Sequence, residues 1–239
     1  MKKAADPHIS WLPYMARTKN YNKWVFNMYK QYVGNSVLDI GAGLGTFVDF
    51  IKHGRAITIL ETSTQAIKKL KKKYRGLKNI EVINGDLSSS ISHLPSLLNK
   101  KKINTVICLN TLEHVKNDKL MLANIRRCLR PRGKLILYVP ALKALFGTLD
   151  INLGHVRRYS KSELKRTLKT CGFKIIKSRY VNFIGLFSWF LYSRILKRKR
   201  VKEKRLLFYD KWFIPILSKI EGIIAPPVGQ SLFIVAETK

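Results

Sequence analysis

Short runs of β-branched and aliphatic residues recur along the chain, and between them apolar residues return every three or four positions. Val37 to Asp39, Ala56 to Leu60, Ile80 to Ile83, Asn104 to Leu109, Lys134 to Val139, Phe173 to Tyr180 and Ser231 to Ala236 read as strands. The Val-Ile-Cys-Leu core of the fourth run suits a strand covered on both faces. Trp24, Met28 and Tyr32, with Val25, Tyr29 and Val33, predict a helix from about Tyr21 to Tyr32 that Gly34-Asn35 ends. Ser63 caps a helix whose Ile67, Leu70 and Tyr74 form an apolar stripe, while Lys68, Lys69, Lys71, Lys72 and Lys73 cover the solvated side. A further helix runs to Leu129, where Arg130-Pro131-Arg132-Gly133 reads as a turn. Ser160-Lys161-Ser162-Glu163 makes a capping box for a helix ending at Cys171-Gly172. Alternating strands and helices predict an α/β fold with a mostly parallel sheet.

Between the first strand and the next helical run (Phe47, Phe50, Ile51) stand Gly41, Gly43 and Gly45. Glycines are needed where the backbone takes positive φ or passes close to a ligand, and a helix that follows offers unpaired N–H groups. The loop therefore suits a nucleotide-like ligand, the plain alternative being a βα turn packed for tightness. A dinucleotide fingerprint wants G-x-G-x-x-G, but here the third glycine comes one residue early and Thr46 takes its place. Glu61 ends the second strand twenty residues after Gly41, about where an acid reaches ribose hydroxyls in nucleotide-binding βαβ units. Asp86 follows the third strand in an Asn-Gly-Asp turn, and Asn110-Thr111-Leu112-Glu113-His114-Val115 follows the fourth. All these polar groups come after strand C-termini, where open parallel sheets bind ligands.

The ordered set Asp39/Gly41/Gly43/Gly45, Glu61, Asp86 and Glu113-His114 resembles class I S-adenosylmethionine-dependent methyltransferases over about Asn20 to Tyr180 plus the last strand. The resemblance implies a Rossmann-like three-layer α/β sandwich. Its sheet would have seven strands, mostly parallel, with an antiparallel last strand between the fifth and sixth. It also implies S-adenosylmethionine as cofactor and S-adenosylhomocysteine as product. Asp39 would face the amino-acid end of that cofactor, with the Gly41-Ala42-Gly43 and Gly45 backbone passing beneath it. Glu61 and Thr62 would take the ribose, Asp86 the adenine amine, and Leu87 the ring nitrogen through its backbone N–H. Asn110, Glu113 and Tyr21 complete the expected cofactor contacts, and Tyr14 is assigned to the acceptor. The Glu-His-Val ending resembles enzymes acting on small molecules and lipids. It departs from the Asp/Asn-Pro-Pro-Tyr/Phe loop with which amino-methylating nucleic-acid enzymes hold a base.

Gly154-His155-Val156-Arg157-Arg158-Tyr159 lies in a polar, loop-like stretch from Gly147 and resembles a subgroup of small methyltransferases that modify lipid and quinone intermediates. His155, or His114, can act as general base, Arg157 and Arg158 can hold an anionic group, and Tyr159 can orient either. The alternative is that these residues lock the loop, an arginine pairing with a backbone carbonyl or with Asp150. The expected reaction is methyl transfer to a small or lipid-like acceptor, at oxygen before nitrogen or carbon.

Three units are expected: a helical cap over 1–33, the cofactor-binding domain over 34–180 plus 231–239, and an insertion over 181–230. The insertion places Phe183 to Tyr192, rich in aromatics, beside a basic cluster from Arg194 to Arg205. It suits an anionic membrane interface, a lid or oligomer contact, or RNA. A net charge of +32 draws the chain to polyanions and says little about fold. It keeps two rivals open: an RNA methyltransferase or RNA-binding protein, and a non-catalytic protein that binds S-adenosylmethionine. At 46% hydrophobic residues the chain is globular. The scattered Cys108, Cys128 and Cys171 suggest a reducing compartment without a disulfide framework, and no metal-ligand spacing stands out. The N-terminus lacks the apolar core of an export signal, so a cytoplasmic protein is expected, at the inner membrane face if the insertion is interfacial.

Overall fold

The computed structural model describes residues 7–89 and 93–239, with side chains from residue 11 onward. The opening Met-Lys-Lys-Ala-Ala-Asp, on which the expectation about export partly rests, lies outside these residues. Two helices, α1 (Pro7–Arg17) and α2 (Lys19–Tyr29), precede the sheet, and a 3₁₀ turn over Lys30–Tyr32 completes the helical run expected there. Then come β1 (Ser36–Ile40), α3 (Val48–Ile51), β2 (Ala56–Glu61), α4 (Thr64–Lys73), β3 (Ile80–Asn84), α5 (Leu94–Asn99), β4 (Ile103–Leu109) and α6 (Asp118–Cys128). β5 (Leu129–Pro140), α7 (Thr148–Leu153), α8 (Lys161–Thr170) and β6 (Phe173–Val181) follow. The chain ends with α9 (Phe183–Phe190), α10 (Glu203–Trp212), α11 (Ile214–Ile223) and β7 (Ser231–Thr238).

The seven strands form one sheet in the order β3-β2-β1-β4-β5-β7-β6. β1 to β5 pair in parallel, and β7 runs antiparallel between β5 and β6. Successive strand residues alternate between two apolar layers, because side chains point to opposite faces with period two. Leu38, Val106, Cys108, Leu135 and Leu137 join Leu122 and Ile125 of α6 and Leu164 and Leu168 of α8 on one face. Val37, Ile57, Ile107, Ile136 and Phe233 meet Val25 and Tyr29 of α2, Leu70 of α4 and Leu217 of α11 on the other. This is the three-layer sandwich the resemblance implies. Each fully buried Leu, Ile or Phe contributes roughly 1.5–3 kcal/mol relative to exposure, so the layers hold the strand ends firmly.

β5 begins earlier than its apolar run, since Leu129 pairs with Ile103, while Thr105 pairs with Lys134. Arg130 to Gly133 is the excursion between those pairs, with Arg132 at φ 57°, so the turn read there sits inside the strand. The stretch read as a loop from Gly147 to Tyr159 contains the short helix α7. The 181–230 segment is stitched into the body. Asp210 of α10 accepts from the Asn20 and Tyr21 N–H groups at the start of α2 (3.2 and 2.8 Å), and Glu221 of α11 accepts from those of Asn182 and Phe183 at the start of α9 (3.1 and 2.9 Å). Both carboxylates sit where helix N-termini favour negative charge.

Candidate active site

At the C-terminal ends of β1 and β4 the chain reverses through the glycine loop and through Asn110. Gly41 (φ 71°) and Gly45 (φ 71°) occupy left-handed backbone, and a Cβ there would lie 2.4 Å from Thr111 Oγ1 and 2.3 Å from Tyr74 Oη. Both glycines are thus required by conformation and by space. Glu61 ties the loop to β2, accepting from Gly43 N at 3.0 Å, and from Thr62 N and Ser63 N at 2.9 and 3.0 Å. Asp39 is buried at the end of β1, and its carboxyl receives no hydrogen bond from the described residues. Burial first, then the nearby Glu61 charge, push it up to about 7. A buried carboxyl so raised fits a site completed by a cationic ligand, such as the ammonium of an amino acid.

A cavity of about 490 Å³ opens beside this loop. Gly41, Ala42, Asn110 and Tyr21 form one side, and Trp11, Leu12 and Met15 of α1 form another. His114, His155, Arg158 and Trp189 also line it. The Tyr21 hydroxyl donates to Tyr138 Oη at 2.9 Å, and burial raises it to about 12, so it stays protonated.

His155 and Arg158 share a partner, Asp150, which sits on α7 and is fully buried. His155 Nδ1 lies 2.8 Å from Asp150 Oδ1, and Arg158 Nε donates to the same oxygen at 2.8 Å. Gly147 N (3.0 Å) and Trp189 Nε1 (3.2 Å) donate to Oδ2. Burial alone would raise this carboxyl, but the His155 hydrogen bond and the Arg158 charge outweigh it and hold Asp150 below its ordinary value. An ionised carboxylate only accepts, so the proton of neutral His155 sits on Nδ1 and the lone pair on Nε2. Arg158 also donates to the Ala141 carbonyl at 2.9 Å, and its guanidinium carbon lies 4.6 Å from the centre of the Trp189 ring. It fulfils both structural roles considered for an arginine here while lining the cavity.

Glu113, in the 3₁₀ turn Leu112–His114, is fully buried behind His155, with Oε1 at 3.9 Å from His155 Nε2. Neither carboxyl oxygen has a hydrogen-bond partner among the described residues, and burial raises the group to about 7 despite the opposing pull of His155. His114 Nδ1 lies 3.1 Å from the Gly154 carbonyl, and its ring meets that of His155 edge-on at 4.9 Å. Glu113, His114 and His155 each bring one potential metal-ligating atom within 4.8 Å of the others, a grouping that linear spacing conceals.

Other expected residues fall elsewhere. Tyr159 is buried off the cavity wall, its hydroxyl donating to Asp118 Oδ2 (3.0 Å) and the Leu112 carbonyl (3.2 Å), so it anchors the turn that carries Glu113 and His114. Arg157 pairs with Asp118 at 3.1 Å and donates to the Lys116 carbonyl at 2.6 Å, also off the wall. Tyr14 is 40% exposed against the edge of Trp11 and lies off the cavity, which Trp11, Leu12 and Met15 of the same helix line instead. Asp86 is exposed in an Asx turn, accepting from Ser88 N and Oγ at 2.7 and 2.8 Å, while Leu87 is buried beside it. The sequence marks Asp150 only as a structural partner for an arginine and Trp189 only as part of the aromatic run of the 181–230 segment, and no local signal assigns either to the site.

Residues 12–178 match the family model described as a methyltransferase domain. The chain belongs to that family. The ubiquinone biosynthesis O-methyltransferase, mitochondrial, of Schizosaccharomyces pombe is 29% identical over 141 residues, 56% of this chain and 48% of that protein. The chain spans about half the length of the curated relatives it matches. Among solved structures, a SAM-dependent methyltransferase from Archaeoglobus fulgidus superposes with a TM-score of 0.60 at 17% identity, covering 92% of this chain and 94% of that one. The glycopeptide N-methyltransferase MtfA complexed with S-adenosyl-L-methionine gives 0.57 at 15% identity, covering 91% and 87%. At such identities these structures establish the fold, which is that of S-adenosylmethionine-dependent methyltransferases.

Proposed function

We propose that the protein transfers the methyl group of S-adenosylmethionine to an oxygen of a small or lipid-like acceptor held in the cavity, with His155 as general base. The observation that carries this reading is the bond between buried Asp150 and His155, whose ring lines the same cavity as Gly41 and Ala42 of the glycine loop. When bound, S-adenosylmethionine supplies an electrophilic methyl group and leaves as S-adenosylhomocysteine. Asp39 holds the ammonium, Glu61 shares its oxygens with the ribose, and Asp86 with the Leu87 backbone meets the adenine. Asp150 fixes the His155 tautomer, so that Nε2 accepts the acceptor's hydroxyl proton as the oxygen attacks, and Asp150 stabilises the imidazolium formed. The apolar wall of Trp11, Leu12, Met15 and Trp189 excludes water and aligns the reactants, a contribution of roughly 7–11 kcal/mol in well-oriented systems. Similarity to an O-methyltransferase supports oxygen as the target.

The test is calorimetric titration with S-adenosylmethionine and S-adenosylhomocysteine, with Gly43→Trp as control, then a screen of hydroxylated acceptors beginning with lipid and quinone precursors. Micromolar binding lost in the control, with turnover that His155→Gln abolishes, is the expected result. Absence of binding by a folded protein refutes the cofactor assignment. Binding without turnover across the screen favours a protein that uses the cofactor only as a ligand.

A further inference from the structure

The outer face of the 181–230 segment carries apolar surface that no described residue covers. Along α11, Phe213, Ile216, Ile220 and Ile223 recur on one helical face and are 41%, 63%, 55% and 86% exposed, followed by Ile224 at 69%. The opposite face is buried through Ile214, Leu217 and Glu221. Phe208 and Trp212 of α10 (59% and 57%) and Phe187 of α9 (57%) extend the surface. Phe208 packs 6.1 Å from Phe213, and the bonds from Glu221 to the start of α9 bring that helix against the end of α11. A helix whose apolar stripe points outward is inverted relative to an ordinary surface helix.

The charges of this segment are sorted in the same direction. Arg194, Lys197, Arg198, Lys199, Arg200 and Lys202 are exposed between α9 and α10, Lys204 is exposed in the first turn of α10, and Lys211 and Lys219 flank the stripe. The acids point the other way: Asp210 and Glu221 are buried on backbone N–H groups, and Glu203 pairs with Arg17. The surface thus combines bulky apolar residues with uncompensated positive charge, and no helix among the described residues is long and apolar enough to cross a membrane.

We propose that this face docks in the plane of an anionic lipid bilayer, the isoleucine stripe of α11 entering the headgroup–acyl boundary and the basic cluster meeting lipid phosphates. Charge decides between occupants. A second copy meeting this face would set the same basic rim against itself, and single-stranded nucleic acid would engage Phe187, Phe208, Trp212 and Phe213 but leave the isoleucine row of α11 uncovered. Phe208 and Phe213 belong both to this face and to the lining of the cavity, so docking would bring lipid to the cavity's edge. The inference stands apart from the choice of acceptor.

The experiment is flotation of the full chain with vesicles of phosphatidylcholine containing phosphatidylglycerol, and with phosphatidylcholine alone. Two variants accompany it: Ile216→Ser/Ile220→Ser/Ile223→Ser, and Lys197→Gln/Arg198→Gln/Lys199→Gln/Arg200→Gln. None of these residues lines the cavity, so unchanged S-adenosylmethionine binding and circular dichroism verify the fold of each. The expected result is flotation with anionic vesicles only, weakened about 10-fold or more by either variant, as a combined apolar and electrostatic anchor requires. No flotation of the wild type, or flotation indifferent to the isoleucine variant, overturns the proposal. So does a wild-type dimer in light scattering that the isoleucine variant converts to monomer without affecting flotation. Vesicle binding displaced completely by RNA in a purely salt-dependent manner would reassign the face to nucleic acid.

Discussion

Asp150→Asn is the sharpest test of the site because one buried carboxylate collects four donors, from Gly147, His155, Arg158 and Trp189. The asparagine keeps the shape but offers one carbonyl oxygen, so at least one donor pair meets an NH₂ group and Arg158 loses its only described carboxylate partner. Removing one member of a buried ion pair costs about 3–5 kcal/mol, and a drop of that size in the urea unfolding free energy is expected. With its NH₂ in the Oδ1 position the amide directs a hydrogen toward His155 Nδ1 and favours the opposite tautomer, in which Nε2 carries the proton and cannot act as base. Turnover should fall about 10²–10⁴-fold, while calorimetric affinity for S-adenosylmethionine stays close to wild type, because the glycine loop does not touch Asp150. Long-range ¹H–¹⁵N spectra of labelled histidine read the tautomer directly without any acceptor: Nδ1–H in the wild type, lost in the variant. A wild-type spectrum with the proton on Nε2, or a variant with undiminished turnover, would refute the dyad.

Asp39 and Glu113 both lie near pH 7, well above the ~4 of an unfolded chain. The folded protein therefore binds more protons between these values, and cofactor-free stability should fall as pH rises from about 4 to 7 and level off above. Urea midpoints measured across that range should show this slope, reduced in Asp39→Asn. Binding of an ammonium ligand favours ionised Asp39, so calorimetric affinity for S-adenosylmethionine should rise with pH up to about 7 and flatten beyond it; a profile unchanged in Asp39→Asn would remove Asp39 from the site. Gly45→Ala, with its Cβ forced to 2.3 Å from Tyr74 Oη in left-handed backbone, should destabilise by about 1–2 kcal/mol from conformation alone and weaken cofactor binding together with the thermal midpoint. With His155 Nε2 acting as base, EDTA should leave turnover unchanged; a rate lost on chelation and restored by a divalent cation would give Glu113, His114 and His155 to a metal instead.

The sheet was legible because its central strands are buried on both faces, so runs such as Val106 to Leu109 stand out against turns. The glycine loop and Glu61 were legible because the backbone conformation and the bond from Gly43 N to Glu61, 18 residues on, are local, although Thr111 and Tyr74, which pack against the glycines, are not. Where the reading missed, the cause was distance or length. Helix α7 has six residues, too few for periodicity to register. The four donors on Asp150 come from two local positions, one a turn further on, and one on another helix, which no spacing rule connects. Tyr159 and Arg157 stood in the same polar phrase as His155, yet Tyr159 turns into the core and Arg157 toward Asp118, because the bridge between Ala141 and Tyr159 fixes which residues of the phrase face inward. The lysine-rich side of α4 fits the solvated face expected of it, with Lys68, Lys69, Lys71, Lys72 and Lys73 all exposed.

The contact between Trp189 and Asp150 limits how freely the enzyme can be rebuilt. Loops and inserted helices around a shared sheet are commonly treated as exchangeable parts, swapped between relatives to alter what is accepted while the reactive centre stays constant. Here the 181–230 segment donates a hydrogen bond to the carboxylate that binds His155 and stacks on the arginine beside it. A graft that replaces this segment without an indole at that point would change rate and selectivity together, and chimeras that carry the tryptophan across would be the ones that retain turnover.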